Sequence, residues 1–493
     1  MKLFDRQKKW EINLYSYYDH AGIVRHLEDM ARQGWQLEKS GSVFWTYRRC
    51  EPTEAHYAVV YFSKASQFDP EPPAEQREFW ELCKATGWEL VTNRYQMQIF
   101  RNPAPDAIPI ETDPVVQVEN VRAAMKKGSA RANWCLLICS LLQLWLQFRS
   151  AYTIRDLLLS TFTLSAILIW LMLGIKAVVE LIGYYRWCRK ARTAAEEEGV
   201  LLSPRTRKWW QILQIWGFLV TVAIALSLPL LSSSHSPFTL VALAAGLAYG
   251  LLLALIVNGS RQLMKKKGFS AEANMGLNIL IAIVGAFVLM GGLIWMSFRV
   301  ADNPGLQGHI NAETRTSPAY PAGDTEHTYT VYHDPLPLTV EDLVGETAYT
   351  DYSCRRDVEG TPLMTQYDYR QEVPFVFTVS PEDGPELDYT VYQIKLDCLY
   401  EPLKSSFFKD KVYTIHGQID FVIPHGWVST DAAPWGALDA YQHHDESGTP
   451  TGSYLLCYEN RFVEIRFDGW DNAAPTAEQM ALVRDILGFG ALT

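Results

Sequence analysis

The sequence predicts an α+β protein in three parts: an N-terminal duplicated β-α-β-β two-layer sandwich, a five-helix transmembrane bundle and a C-terminal β-rich α+β extracytoplasmic domain. Three observations predict it. A Gly-Trp-x-Leu motif occurs twice, at Gly34-Trp35-Gln36-Leu37 and at Gly87-Trp88-Glu89-Leu90. Long apolar runs crowd between residues 132 and 298. Charge is divided unequally about them: residues 300–493 hold 31 Asp and Glu against 11 Lys and Arg, a net of −20, and residues 1–299 hold 24 against 33, a net of +9. Such asymmetry points to two environments for one chain. An apolar content of 48% with 20% charged residues excludes a disordered chain.

The first domain covers residues 1–115. Trp10 to Tyr15 reads as a strand, followed by a helix with Ile23, Leu27, Met30 and Ala31, then the first Gly-Trp motif and a strand from Val43 to Tyr47. Tyr57 to Phe62, a helix with Phe79, Leu82 and Cys83, the second motif and Gln96 to Phe100 repeat the pattern. In each repeat the glycine closes the helix in a left-handed cap, and the tryptophan starts the next strand beneath that helix. Gly34, Trp35, Gly87 and Trp88 are therefore structural anchors. The two units are expected to join as one antiparallel sheet with both helices on one face. His20, His26 and His56 stand near no phosphate loop, H-E-x-x-H or G-x-S-x-G motif, so no catalytic residue and no cofactor are assigned. Interleaved acids around Arg48-Arg49 argue against direct nucleic-acid binding. Residues 116–131, with Val118, Val121, Ala124 and Met125 on one face, read as an amphipathic linker helix feeding the membrane.

Quoted in order, Arg25-His26-Leu27-Glu28-Asp29-Met30-Ala31-Arg32-Gln33-Gly34-Trp35, Pro52, Tyr57, Tyr61-Phe62, Ala85-Thr86-Gly87-Trp88-Glu89, Ile99-Phe100-Arg101 and Thr112-Asp113 resemble the bacterial family of domain of unknown function 2812. The resemblance covers residues 10–115. It implies a bacterial source, continuation into several membrane helices and a regulatory context beside repressors of the phenolic-acid-decarboxylase class. It carries over no catalytic residue.

Five spans are expected at residues 132–148, 157–182, 211–231, 238–257 and 275–298, each near the length needed to cross a hydrocarbon core of roughly 30 Å. The loop at 183–208 holds Arg186, Arg189, Lys190, Arg192, Arg205, Arg207 and Lys208, and the next inner loop holds Arg261 and Lys265 to Lys267. Both belong in the cytoplasm, which places the N-terminus inside a bacterial cell membrane and the C-terminus outside. Trp134, Trp187, Trp209, Trp210 and Trp295 fall near predicted span ends, where indole prefers to sit. Lys176 and Glu180 read as an i,i+4 pair reaching for the interface, and no charge sits mid-span to mark an ion path. Small residues Ala244, Gly246, Gly250, Gly285, Gly291 and Gly292 offer faces for close helix packing. The start Met1-Lys2-Leu3-Phe4-Asp5-Arg6 has no apolar stretch behind it, so a cleavable signal peptide is not expected.

Residues 299–322 read as a linker and 323–493 as the acidic domain. Strands are expected at Val373 to Phe377, Tyr389 to Leu396 and Val412 to Ile415, with a hairpin from Tyr454 to Phe467. Thr476 to Gln479 forms a capping box that opens a last helix. His443, His444 and Asp445 are the metal-ligand candidates, weighed against a solvated turn, because neighbours along a strand point opposite ways. A disulfide among Cys354, Cys398 and Cys457 stays open as an alternative to three reduced thiols.

Taken together, these features lead to the expectation of a non-enzymatic membrane sensor or regulatory scaffold. It joins an unknown extracytoplasmic ligand or partner to a cytoplasmic protein partner, with the lipid bilayer between. The alternative is an accessory or permease-like subunit of a transport system.

Overall fold

A computed structural model describes residues 7–41, 44–150, 154–204, 208–228, 237–301, 311–317, 327–345, 351–374, 385–415, 418–470 and 474–490. The chain is a mixed α+β protein that divides into two units, one of residues 1–146, 167–223 and 246–290, the other of residues 147–166, 224–245 and 291–493.

The first unit opens with β1 (Lys8–Ile12), α1 (His20–Arg32), β2 (Trp35–Ser40) and β3 (Phe44–Arg49), then repeats with β4 (His56–Tyr61), α2 (Ala74–Ala85), β5 (Glu89–Arg94) and β6 (Met97–Asn102). Both repeats pair their strands alike, β1-β3-β2 and β4-β6-β5, all antiparallel. Gly34 and Gly87 stand at φ +80° and +86°, the left-handed region glycine enters without a Cβ penalty. A Cβ on Gly34 would meet the Cys50 carbonyl oxygen at 2.9 Å. The tryptophans that follow differ in use. Trp88 is buried and donates its indole N–H to the Ile108 carbonyl at 2.9 Å, whereas Trp35 is half-buried, with the Arg49 guanidinium 5.0 Å from its ring centre.

Where one continuous sheet was expected, two three-stranded sheets form. The strands that would join them, β2 and β5, each shift register partway, between Leu37 and Lys39 and between Leu90 and Thr92. A bulge bends a strand and breaks its row of hydrogen-bonding groups, so neither edge offers the straight ladder the other needs. Nor do both helices share a face. Phe100 and Val60 of the second sheet pack under α2 with Cys83 and Trp88, while Tyr57, Tyr61, Met97 and Ile99 join α1 in a different core. That second core also takes the buried face of α3 (Pro114–Lys127), namely Val118, Val121, Ala124 and Met125. The helix read as a linker is thus an integral layer of the domain, capped by the Asp113 side chain on Val115 N–H at 2.9 Å.

Next come α4 (Ser129–Ser150), α5 (Ile154–Leu159), α6 (Thr161–Glu197), α7 (Lys208–Ser227), α8 (Pro237–Lys266) and α9 (Ala271–Ala301). All five expected spans fall largely on helices, yet among the described residues two, Thr161–Glu197 and Ala271–Met296, are long and apolar enough to cross a membrane, with Ile212–Ser227 a shorter apolar helix. Polar side chains dilute α4, which carries Arg131, Asn133, Gln143, Gln147 and Arg149. The second span also starts later than expected, because the chain breaks at Ser160 and residues 157–159 belong to α5. Of the small residues, Gly285 has a packing use: a Cβ there would meet Leu253 Cδ1 at 2.5 Å, and the Tyr249 hydroxyl donates to its carbonyl. Gly246, Gly250, Gly291 and Gly292 have open space beside them.

In the second unit, β7 (Ala312–Ser317) pairs with β8 (His327–Tyr332), so part of the expected linker is strand. After α10 (Val340–Val344), a seven-stranded antiparallel sheet runs in the order β14-β15-β16-β17-β11-β10-β9. Its members are β9 (Ser353–Gly360), β10 (Met364–Glu372), β11 (Glu386–Ile394), β14 (Trp427–Thr430), β15 (Asp439–His444), β16 (Pro450–Cys457) and β17 (Arg461–Asp468). Alternate residues of β16 feed opposite cores: Leu456 packs with α10 and with α12 (Ala477–Val483), and Leu455 with Cys457 packs against α11 (Tyr400–Phe407). The expected hairpin is present, with Cys457 facing Phe462, and Thr476 forms the capping box with Gln479. A separate ladder joins β12 (Lys411–Ile415) to β13 (Gln418–Ile423). Val373 and Pro374 are not strand, and the rest of that expected strand, residues 375–377, lies outside the described residues.

Candidate functional site

In the first unit, the residues that join its domain to helix residues form the best-built constellation. Helix α6 has 37 residues, about 55 Å at 1.5 Å per residue. Its far half carries Ala177, Leu181, Tyr184, Trp187, Ala191 and Ala195 at intervals of three or four, a single face. The last five of these lie in the same core as Tyr18, Ile23, Leu27 and Met125. Trp187, expected at a lipid interface, is instead buried: it stacks on Tyr18 at 5.4 Å, and its indole N–H donates to the Leu202 carbonyl at 2.9 Å. The Glu180 carboxylate accepts from Ser16 Oγ at 3.1 Å, so a residue of the β1–α1 loop, rather than the interface, is its partner.

The equivalent loop of the second repeat, between β4 and α2, is held by polar groups. Asn274 is fully buried and donates to the Phe68 carbonyl at 3.1 Å. Arg261 donates to Gln67 Oε1 at 3.1 Å and to Asn258 Oδ1 at 2.6 Å. Asn278, also buried, donates to the Asn274 carbonyl at 2.7 Å and accepts from Ser260 Oγ at 2.8 Å. Corresponding loops of the duplication therefore hold different helices, the first α6 and the second the α8–α9 turn. In the sequence Arg261 reads only as loop charge, and the asparagines, Ser260, Gln67 and Phe68 are not among the expected site residues. Asn274 and Asn278, two amides one turn apart in an otherwise apolar helix, were the available signal.

At the first of these loops Asp19 caps α1, accepting from Gly22 N–H at 2.9 Å. Burial outweighs that hydrogen bond and pushes its carboxyl up to about 6. An acid whose folded pKa is raised contributes stability that is full below its unfolded pKa, near 4, and is lost as pH rises through about 6. Asn caps as well as Asp and carries no charge. Asp19→Asn is therefore expected to stabilise the first unit at pH 8 by roughly 1–3 kcal/mol and to give almost no gain at pH 4, which thermal melts at the two pH values would show.

A cavity of about 270 Å³ lies in the same unit, along β4 between α1, α3 and the 107–111 segment. His20, His56, Glu111 and Gln117 supply its polar walls, and Val24, Trp88 and Leu201 are among the apolar ones. Burial raises the Glu111 carboxyl, whose Oε1 accepts from Asn120 at 2.8 Å, and lowers His20.

In the second unit, α5 contributes Ile154, Leu158 and Leu159 to the core formed with Met364, Tyr392, Leu403, Phe407 and Phe462. Thr361 Oγ1 donates to the Leu158 carbonyl at 2.7 Å, and Arg155 donates to the Tyr392 hydroxyl at 3.0 Å. The metal-ligand candidates do not converge. His443 meets Trp427 edge-on at 5.3 Å, His444 Nδ1 lies 3.1 Å from the Gly448 carbonyl, and Asp445 accepts from Ser447 and Thr449 to close a turn. The Ser447 hydroxyl holds the Asp445 carboxyl below its ordinary range. Among the described residues no group of three or more His, Cys, Asp or Glu side chains is arranged to hold a metal. Cys354, Cys398 and Cys457 are free thiols, Cys457 pushed up to about 12 by burial.

The fold and these contacts define a mixed α+β protein, its domains built onto helix segments, with two helices among the described residues long and apolar enough to cross a membrane. Residues 21–130 match the family described as Protein of unknown function (DUF2812), which takes in α1 through α3. No curated protein and no solved structure matches the chain.

Proposed function

We propose that the protein is a multi-pass regulatory coupler of the bacterial cell membrane, in which the N-terminal domain meets a cytoplasmic protein and the acidic C-terminal domain meets a ligand or partner outside. The carrying observation is α6 with α5. The far half of α6 is built into the N-terminal core, and α5, joined to α6 through Ser160 alone, is built into the C-terminal core. Apolar packing of this kind transmits displacement, because a close-packed core has few intermediate arrangements. A flexible tether would not.

The sidedness rests on the charge rule, and the grouping of loops supports it. The basic loops at 183–208 and 258–270 belong to the unit that holds the N-terminal domain, and residues 147–160 belong to the unit that holds the acidic domain. The five helices from α4 to α9, α5 excluded, then cross in alternation. Exposed Cys398 supplies a native probe. A membrane-impermeant maleimide added to intact cells is expected to label Cys398 fully, with Cys398→Ser as control. Labelling that appears only after permeabilisation would place this domain in the cytosol and end the proposal.

A further inference from the structure

The order β4-β6-β5 leaves β4 at an edge, and its register shows which groups that edge presents. Phe62 N–H donates to the Gln96 carbonyl at 2.7 Å, continuing the pairing in which His56 faces Asn102 and Val60 faces Gln98. In an antiparallel ladder the hydrogen-bonded positions alternate, so residues 56, 58, 60 and 62 bond to β6 while Tyr57 and Val59 turn their N–H and C=O to the free edge. That edge lines the cavity of about 270 Å³. Among the described residues no hydrogen bond joins the outward backbone groups of Tyr57 and Val59 to α1, α3 or the 104–111 segment. Tyr57 is buried and Val59 half-buried, and the outward N–H and C=O row of an edge strand is a template for pairing with another chain.

The walls state what that partner carries. Among the described residues that line the cavity, Glu111 is the one carboxylate and there is no Lys or Arg. The first repeat offers a contrast: its equivalent edge strand, β1, bears exposed Lys8 and Trp10.

We propose that β4 is a docking strand, and that an extended segment of a cytoplasmic partner protein adds alongside Tyr57 and Val59 with a lysine or arginine side chain directed to Glu111. This deepens the regulatory reading by giving the class of its inner partner. Strand addition draws affinity from main-chain bonds and selectivity from alternate side chains. The short cavity limits the recognised stretch to a few residues.

The test uses the full-length protein in detergent and a fluorescein-labelled hexapeptide of alternating threonine and valine with one central lysine. Saturable binding by fluorescence anisotropy is expected. Successive N–H groups of an added strand point alternately toward and away from β4, so two N-methylated peptides, each blocked at one alternate set, separate the geometries. One is expected to bind at least about tenfold more weakly, a loss of about 1.4 kcal/mol, and the other to bind like the parent. Glu111→Gln is expected to weaken the lysine peptide several-fold and leave a norleucine analogue unchanged. Absence of saturable binding, equal binding of both methylated peptides, or indifference to Glu111→Gln each overturns the proposal. None of these readouts depends on which side of the membrane the domain occupies, and Cys398 labelling does not depend on peptide binding, so the two failures are distinguishable.

Discussion

Trp187→Ala is expected to destabilise the first unit by about 3–5 kcal/mol while leaving the acidic domain unaffected. The indole fills the space between Tyr18 and the edge of His20, with ring centres at 5.4 and 6.2 Å, and its N–H satisfies the Leu202 carbonyl. Truncation removes that packing together with the hydrogen bond to the Leu202 carbonyl. Heating the detergent-solubilised chain with a protease, and following peptides by mass spectrometry, separates the two units. Peptides from residues 7–128 should lose protection roughly 10 °C earlier than in the wild type, and peptides from 353–468 at the unchanged temperature. Equal melting of residues 7–128 in variant and wild type would mean that α6 lies beside the N-terminal core without being part of it.

Leu158→Asp is expected to act on the other unit. Leu158 is buried among Met364, Tyr392, Phe407 and Phe462. The one basic group against that core, Arg155, lies over the Tyr392 and Phe407 rings and is already engaged by the Tyr392 hydroxyl and by Glu464 at 4.0 Å. Loss of the leucine costs about 2–5 kcal/mol, and burying a charge adds to it unless the group protonates. Peptides from residues 353–468 should therefore melt earlier at pH 7.5 and recover in part at pH 5, because burial raises the new carboxyl's pKa and the neutral form is the one the site tolerates. The opposite pattern, a normal acidic domain with α6 failing to enter the membrane, would put residue 158 inside the span, as its hydropathy alone suggests.

These two positions show where sequence reading stops. Leu158 stands at the start of an apolar run that reads as a span, and Trp187 stands just beyond the end of the same run, where it reads as an interface residue. The same holds for Val118, Val121, Ala124 and Met125, whose face was recognised and whose partner was not. Ser16 gives no sign of its partner and Arg261 reads only as loop charge, because a hydrogen bond between groups more than a hundred residues apart leaves no local pattern. His443, His444 and Asp445 were legible as a cluster along the chain, and the strand turned them toward different neighbours.

What the amino-acid order settled by itself is local: the twofold β-α-β-β pattern, the left-handed glycines at 34 and 87, the Thr476 capping box and the Tyr454–Phe467 hairpin. Each depends on dihedral preference and on apolar spacing within a dozen residues. Tertiary structure alone decided that the two repeats form separate sheets, that α3 belongs to the N-terminal core, and that α5 leaves the second span for the acidic domain. The reason is that burial of an apolar side chain is favourable and non-directional: leucine and tryptophan leave water as readily for a protein core as for a bilayer, so only the assembled neighbours determine which one receives them.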